Sequence, residues 1–223
     1  MKLGVLFSGG KDSTYAAWLA KKEGYEISCL ISLVSENPHS FMFHTPSINA
    51  TEYQARAMGI PIIIQKTKGK KELELRDLKA AIKKAIKGYG IEGIVTGAVE
   101  SVYQSSRIQK ICNELDLECF NPLWQKDQIE LLQDLVKDKF EVMIVGVFAY
   151  PLDKSWLGRI IDKRFINEVA ILRRKYQINP AGEGGEFETL TLFAPDLFKK
   201  RLKIKSFQDF LEGENAGRRE VRI

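Results

Sequence analysis

Two adjacent glycines followed by a lysine, an aspartate and a serine constrain this chain more than any other feature. Ser8-Gly9-Gly10-Lys11-Asp12-Ser13 lies between a short apolar run, Leu3 to Phe7, and a segment, Thr14 to Lys21, with Tyr15, Trp18 and Leu19 at helical core spacing. The run reads as a buried strand and the segment as a helix. At such a junction the first backbone N–H groups of the helix lack acceptors, and the helix dipole presents its positive end. Glycines let the backbone approach an anion closely, and the lysine adds a full charge. The prediction is a phosphate site. It is not a Walker loop, which runs Gly-x-x-x-x-Gly-Lys-Ser/Thr. Position 5 is a valine where that loop needs its first glycine, and Asp12 follows Lys11. Asp12 sets a carboxylate beside the phosphates, which suits a metal-bridged anion.

The alternation continues along the chain. Ile27 to Val34, Pro61 to Ile64, Ile91 to Thr96 and Phe140 to Phe148 read as strands of nearly continuous apolar residues. Ala50 to Met58, Leu73 to Ile86, Val102 to Leu115 and Gln128 to Val136 read as helices, with Gly59, Gly88 and Gly90 as stops. Strands buried on both faces and separated by helices predict an α/β fold with an open, mostly parallel, doubly wound sheet. From Pro151 the rhythm changes. Asp162 to Lys175 is a charged helix, while Leu190 to Phe193 and Arg201 to Ser206 alternate as half-exposed strands do. A boundary near residue 150 is therefore expected. It separates a nucleotide-binding domain, 1–150, from a small C-terminal α+β subdomain, 151–223, that binds substrate.

In an open parallel sheet, ligands bind beyond the carboxyl ends of the strands, where strand order reverses. The segment after Thr96, from Gly97 through Glu100, Tyr103 and Gln104 to Arg107, should share that crevice with the phosphate loop. Gly97 would allow close approach of a nucleotide. A glycine-rich acidic stretch, Asn179 to Thr189, holds Glu183, Glu186 and Glu188 around Gly184-Gly185. Its glycines and Pro180 oppose helix. Three carboxylates near a phosphate site can bind Mg2+, attract ammonium or accept its proton.

Composition removes other classes. Cys29, Cys112 and Cys119 form no Cys-x-x-Cys pair, which argues for a reducing cytoplasm and against a zinc ribbon. Two histidines, His39 and His44, exclude a histidine-rich metal site. The longest apolar run, Met143 to Tyr150, is too short to span a bilayer, so no membrane is expected, and the N-terminus reads directly into a strand without a signal peptide. The net charge of +5 comes from lysines spread along the chain, the pattern of a solvated surface rather than a nucleic-acid face.

SGGKDS in this setting resembles the pyrophosphate loop of the N-type ATP pyrophosphatases, whose fold is adenine nucleotide alpha hydrolase-like. The whole pattern is similar to the diphthine–ammonia ligase family. The matching stretches are SGGKDS at 8–13, GAVESVYQSSR at 97–107, LWQKDQ at 123–128 and GEGGEFETLTL at 182–192, with Leu197 to Lys200 continuing the match. His44 departs from the family, where a glutamine is expected. The resemblance implies ATP-dependent amidation of diphthine, a modified histidine on translation elongation factor 2, with ATP and Mg2+ as cofactors. The carboxylate becomes an acyl-adenylate with release of pyrophosphate, and ammonium supplies the nitrogen of the amide as AMP leaves. It assigns Ser8, Gly9, Gly10, Lys11, Asp12, Ser13 and Gly97 to the nucleotide. Asp12 would orient the loop or meet Mg2+ through water. Tyr103, Gln104, Arg107, Trp124, Gly184, Gly185 and Thr189 would bind diphthine. Its quaternary ammonium would use an aromatic face such as Tyr103 or Trp124. Lys11, Asp12, Glu183, Glu186 and Glu188 would carry the chemistry, with Glu186, together with Glu183 and Glu188, holding or deprotonating ammonium and the choice among the three left open.

The sequence leaves two rival readings open. One is a tRNA-base-modifying ATP pyrophosphatase, which the basic stretch Lys66 to Lys71 fits and the unpaired cysteines oppose. The other is a nucleotide-binding regulator without turnover. The oligomeric state, a homodimer included, is undecided, and the basic segment Lys199 to Lys205 is either a docking surface or a solvated edge.

Overall fold

The computed structural model describes residues 1–35, 48–68 and 71–223. Strand β1 (Lys2–Leu6) is central because Leu3, Gly4 and Val5 are buried on both sides. It pairs in parallel with β2 (Glu26–Ser35) and with β4 (Gly93–Val95). β3 (Ile62–Thr67) lies outside β2, and β5 (Glu118–Phe120) outside β4. The order β3-β2-β1-β4-β5 is the expected open parallel sheet, and its direction of growth reverses between β1 and β4. The switch-point crevice therefore opens above those two strands.

Successive residues of β2 feed opposite layers. Leu30 joins α1 (Lys11–Lys22) and α2 (Ile48–Met58) through Tyr15, Trp18 and Ala55. Cys29 and Ile31 join α3 (Lys71–Tyr89) and α4 (Val102–Glu114) through Leu78, Ile82, Ile108 and Ile111. Helices thus cover both faces, as a doubly wound sheet requires.

Beyond α5 (Gln128–Lys137), capped by Asp127 on the Ile129 and Glu130 amides, the chain builds a second, antiparallel sheet. Its order is β7 (Phe187–Phe193), β6 (Glu141–Val147), β9 (Gly217–Arg222), β8 (Ser206–Leu211), with α6 (Lys163–Tyr176) packed on it through Phe165, Ile166 and Val169. Two expectations are corrected here. The strand read at Phe140 to Phe148 as a member of the parallel sheet is β6, which pairs with β7 and β9. A strand buried on both faces shows no alternation in either kind of sheet, so its pattern could not choose. The strand expected at Arg201 to Ser206 is irregular. The ladder starts only at Ser206, opposite Arg222, and runs through a β8–β9 hairpin in which Phe207 and Leu211 are exposed, so its apolar residues do not alternate with a buried face.

The two sheets meet at α1. Tyr15 stacks on Trp18 and both meet Phe140 edge-on, while the Tyr15 hydroxyl donates to Asp138 at 2.8 Å. Burial, together with that carboxylate, pushes the Tyr15 hydroxyl pKa well up. The loop before α2 and His44 within it lie outside the described residues.

Candidate active site at the phosphate loop

Helix α1 begins at Lys11 with Gly10 as its N-cap, and a glycine has no side chain to cap with. The cap comes from the second sheet: the Lys11 N–H donates to Thr189 Oγ1 of β7 at 3.0 Å. Beside it, the Thr191 N–H donates to Gly9 O at 2.9 Å. Ser8 and Ser13 close the base of the loop, their hydroxyls 3.1 Å apart and the Ser8 N–H donating to Ser13 Oγ. Gly10 O accepts from the Thr14 N–H and hydroxyl. The loop's carbonyls are thus turned into the protein. The Asp12 and Ser13 N–H groups, which helix geometry leaves without acceptors, remain for an anion.

Gly97 follows β4 and rests on this turn. A Cβ there would stand 2.7 Å from Asp12 C and Ser13 N. What Gly97 touches is therefore the first turn of α1 itself, and only a residue without a side chain can pack this closely on the Asp12–Ser13 peptide. That cradle fits a phosphate group.

The Lys11 side chain is only 4% exposed, and its ammonium lies between two carboxylates, Asp12 Oδ2 at 2.8 Å and Glu183 Oε1 at 3.3 Å. Burial works against its charge, but the two carboxylates outweigh burial and raise its pKa. Glu183 is pushed up to about 7, first by burial and then by the Asp12 charge, with Glu100 adding to the rise and Lys11 opposing it. Asp12 Oδ1 is buried and has no hydrogen-bond partner among the described residues. A hydrated Mg2+ fits such an atom. Among the described residues no group of three or more His, Cys, Asp or Glu could hold a metal.

The acidic loop wraps around one of its own carboxylates. Glu186 is buried and accepts from the Asn179 N–H and Nδ2 at 2.8 Å and from the Gly184 N–H at 2.9 Å. Gly182 (φ +80°) and Gly185 (φ +86°) take the left-handed turns this requires, and a Cβ on Gly184 would collide with Asn179 Nδ2 and Glu186. Glu186, expected to handle ammonium, is placed as the anchor of the loop. Glu183 is the carboxylate that faces Lys11. Glu188 leaves β7 on the face opposite Thr189, across from Gly146 of β6.

On α4, Ser101 caps the helix by accepting from the Gln104 N–H, and the Arg107 guanidinium lies 3.4 Å from the Tyr103 ring centroid, so one face of that ring is covered. Trp124 is half-buried in the turn after β5, which is tied to the Gly97 loop by the Gln125 N–H on Val99 O at 2.7 Å.

Two glutamines that sequence reading gave no role complete the framework. Gln128, fully inside at the start of α5, accepts from the Ala181 N–H and donates to Asn179 Oδ1, holding the acidic loop from below. Gln54 of α2 donates from Nε2 to both Gly9 O and Thr191 O at 2.8 Å. Their partners lie 45 to 137 residues away in sequence, so no local pattern marks them.

A parallel sheet with a phosphate loop and facing carboxylates at its switch point defines the class, a nucleotide-binding α/β protein. Comparison with known sequences narrows it. The Diphthamide synthase N-terminal domain matches residues 1–119 and the Diphthamide synthase C-terminal domain matches residues 127–220. The chain belongs to the diphthine–ammonia ligase family. It is similar to the protein named Diphthine--ammonia ligase of Homo sapiens, 31% identical over 97% of this chain and 87% of that one. The Bos taurus protein of that name is 33% identical over 92% of this chain and 84% of its own. In Schizosaccharomyces pombe the similarity is 32% over 92% of this chain but 36% of a longer relative. A solved structure from Methanocaldococcus jannaschii, described as a "predicted subunit of tRNA methyltransferase", aligns with TM-score 0.47 at 19% identity over 89% of this chain and 100% of that one. At that score it adds nothing to the fold described above.

Proposed function

We propose that this protein converts the carboxylate of diphthine, carried by a protein substrate, to the amide, using ammonium and splitting ATP to AMP and pyrophosphate. Elongation factor 2 is the proposed protein substrate, as the family pattern implies. The observation that carries the reading is the Lys11 ammonium seated between Asp12 of the phosphate loop and Glu183 of the acidic loop. One side of this pairing is built for phosphate, and the other already holds an ammonium group.

Placement supports the following roles. The Asp12 and Ser13 N–H groups and Lys11 take the phosphates, where their charge meets the charge that develops on departing pyrophosphate. The carboxylate oxygen of diphthine bonds to the α-phosphorus as the bond to pyrophosphate breaks. Lys11, drawn toward the phosphates, leaves the carboxylates of Asp12 and Glu183 to an incoming ammonium ion. Glu183 removes a proton from it, the nitrogen lone pair attacks the acyl carbon as AMP leaves, and the nitrogen gives up its second proton to water as the amide forms. Glu186 keeps Glu183 in place by fixing the loop. Tyr103, Gln104, Arg107 and Trp124 line the approach of diphthine, with Trp124 or the open face of Tyr103 for its quaternary ammonium. Mg2+, when bound with the nucleotide, supplies charge neutralisation near Asp12.

The test is AMP formation from ATP and ammonium with purified elongation factor 2, in its diphthine form and unmodified. AMP made only with the diphthine form supports the reading. AMP made with tRNA and indifferent to diphthine would overturn it.

A further inference from the structure

Gln54 is a fully enclosed polar side chain near the loop, at 0% exposure, and it comes from a helix that carries none of the residues placed on substrate or nucleotide. Its Nε2 donates both of its hydrogens, one to Gly9 O and one to Thr191 O, each at 2.8 Å. Gly9 O also accepts from the Thr191 N–H. The side chain thus rivets the phosphate loop of the parallel sheet to β7 of the antiparallel sheet. Its Oε1 has no hydrogen-bond partner among the described residues and lies against Gly9, where a Cβ would stand 2.3 Å away.

The consequence follows from peptide geometry. In a trans peptide the carbonyl and the next N–H point in opposite directions. With Gly9 O drawn to Gln54 and β7, the Gly10 N–H is turned away from them, toward Ser8 Oγ and the loop's interior. Glycine rotates about its backbone at little cost, so a Gly9-Gly10 pair without restraint would flip this peptide readily. The flipped peptide would aim a carbonyl oxygen at the phosphates and withdraw a donor. The Gln54 hydrogen bond to Gly9 O opposes that flip together with the Thr191 N–H beside it, and the second Gln54 hydrogen bond ties the amide itself to Thr191 O.

We infer that Gln54 is a positioning residue for the phosphates of the nucleotide: it holds the Gly9–Gly10 peptide in the orientation that leaves the loop receptive to an anion. This rests on the phosphate-loop reading above and adds to it a residue from α2. It acts only through the loop, so its effect should be confined to the phosphates of a ligand.

The experiment compares binding of a non-hydrolysable ATP analogue with binding of adenosine to the full-length chain and to Gln54→Met, which keeps the volume and loses both donors. The wild type should prefer the ATP analogue. In Gln54→Met that preference should shrink by about tenfold or more, the effect of losing roughly one net hydrogen bond, with adenosine binding unchanged. A purely structural role would weaken both ligands alike or neither. A full preference kept in Gln54→Met overturns the inference, whereas a wild type with no preference overturns the phosphate-loop reading beneath it. The wild type gives a second measurement that needs no variant. Exchange of the Gln54 side-chain amide hydrogens should slow when the ATP analogue binds and not when adenosine binds. Equal exchange in both states would contradict the inference.

Discussion

At the scale of single residues, the site is governed by where each carboxylate points. Glu183 faces Lys11 and Asp12, and its pKa of about 7 comes from burial and the Asp12 charge. Its carboxylate form, the one able to take a proton from ammonium, therefore forms as pH rises through about 7. Amidation should rise over that range and the rise should vanish in Glu183→Gln, read from initial rates at saturating ATP. Stability should move the other way. A carboxyl whose folded pKa is raised binds more protons folded than unfolded, so its contribution is complete below about 4.5 and is lost as pH rises through about 7. Chemical denaturation of the wild type against Glu183→Gln across that window reads the difference. Glu186 differs because its oxygens already accept three loop N–H donors. Glu186→Gln turns a donor toward donors and should cost about 1–3 kcal/mol of local order. Faster proteolysis at Gly182 to Gly185 with the rest of the fold intact checks it.

At the scale of elements, the decisive arrangement is β7 serving as cap and clamp for α1. The motif itself was legible in sequence because its parts are contiguous: strand, glycines, lysine and helix follow one another in a single stretch. Thr189 was assigned to substrate, yet its hydroxyl caps α1, a pairing across 178 residues that no spacing rule reaches. Thr189→Val should lower stability by about 1 kcal/mol, the usual effect of a lost N-cap acceptor, measured by denaturant unfolding. Gly97 shows the same limit. The sequence marks Gly97 as a point of close approach, and the neighbour that the structure shows there is the α1 backbone. In Gly97→Ala a Cβ would stand 2.7 Å from Asp12 C and Ser13 N, and backbone cannot swing aside as a side chain can. The expected result is a loss of about 1–3 kcal/mol together with loss of ATP-analogue binding. Normal binding in that variant would contradict the described cradle.

At the scale of the whole molecule, the proposed phosphate site belongs to both sheets. Loop, lysine and crevice come from the parallel sheet, while the Thr189 cap, the Thr191 bond and the Glu183 partner come from β7 and the loop before it. A fragment ending at Lys126 keeps the five parallel strands and the motif and lacks these partners. It should bind the ATP analogue far more weakly than the full chain, by titration calorimetry. The parallel half was readable from apolar runs and helix stops, whereas membership of β6 was not, because a fully buried strand looks the same in either sheet. In the proposed reaction, ammonium nitrogen enters diphthine at this site. The direct measurement incubates the protein with ATP, isotopically heavy ammonium and diphthine-bearing elongation factor 2, then reads the modified histidine by peptide mass spectrometry. The heavy nitrogen should appear there, only with ATP present, and should fall away in Glu183→Gln. An unlabelled histidine beside continued ATP cleavage would contradict the account.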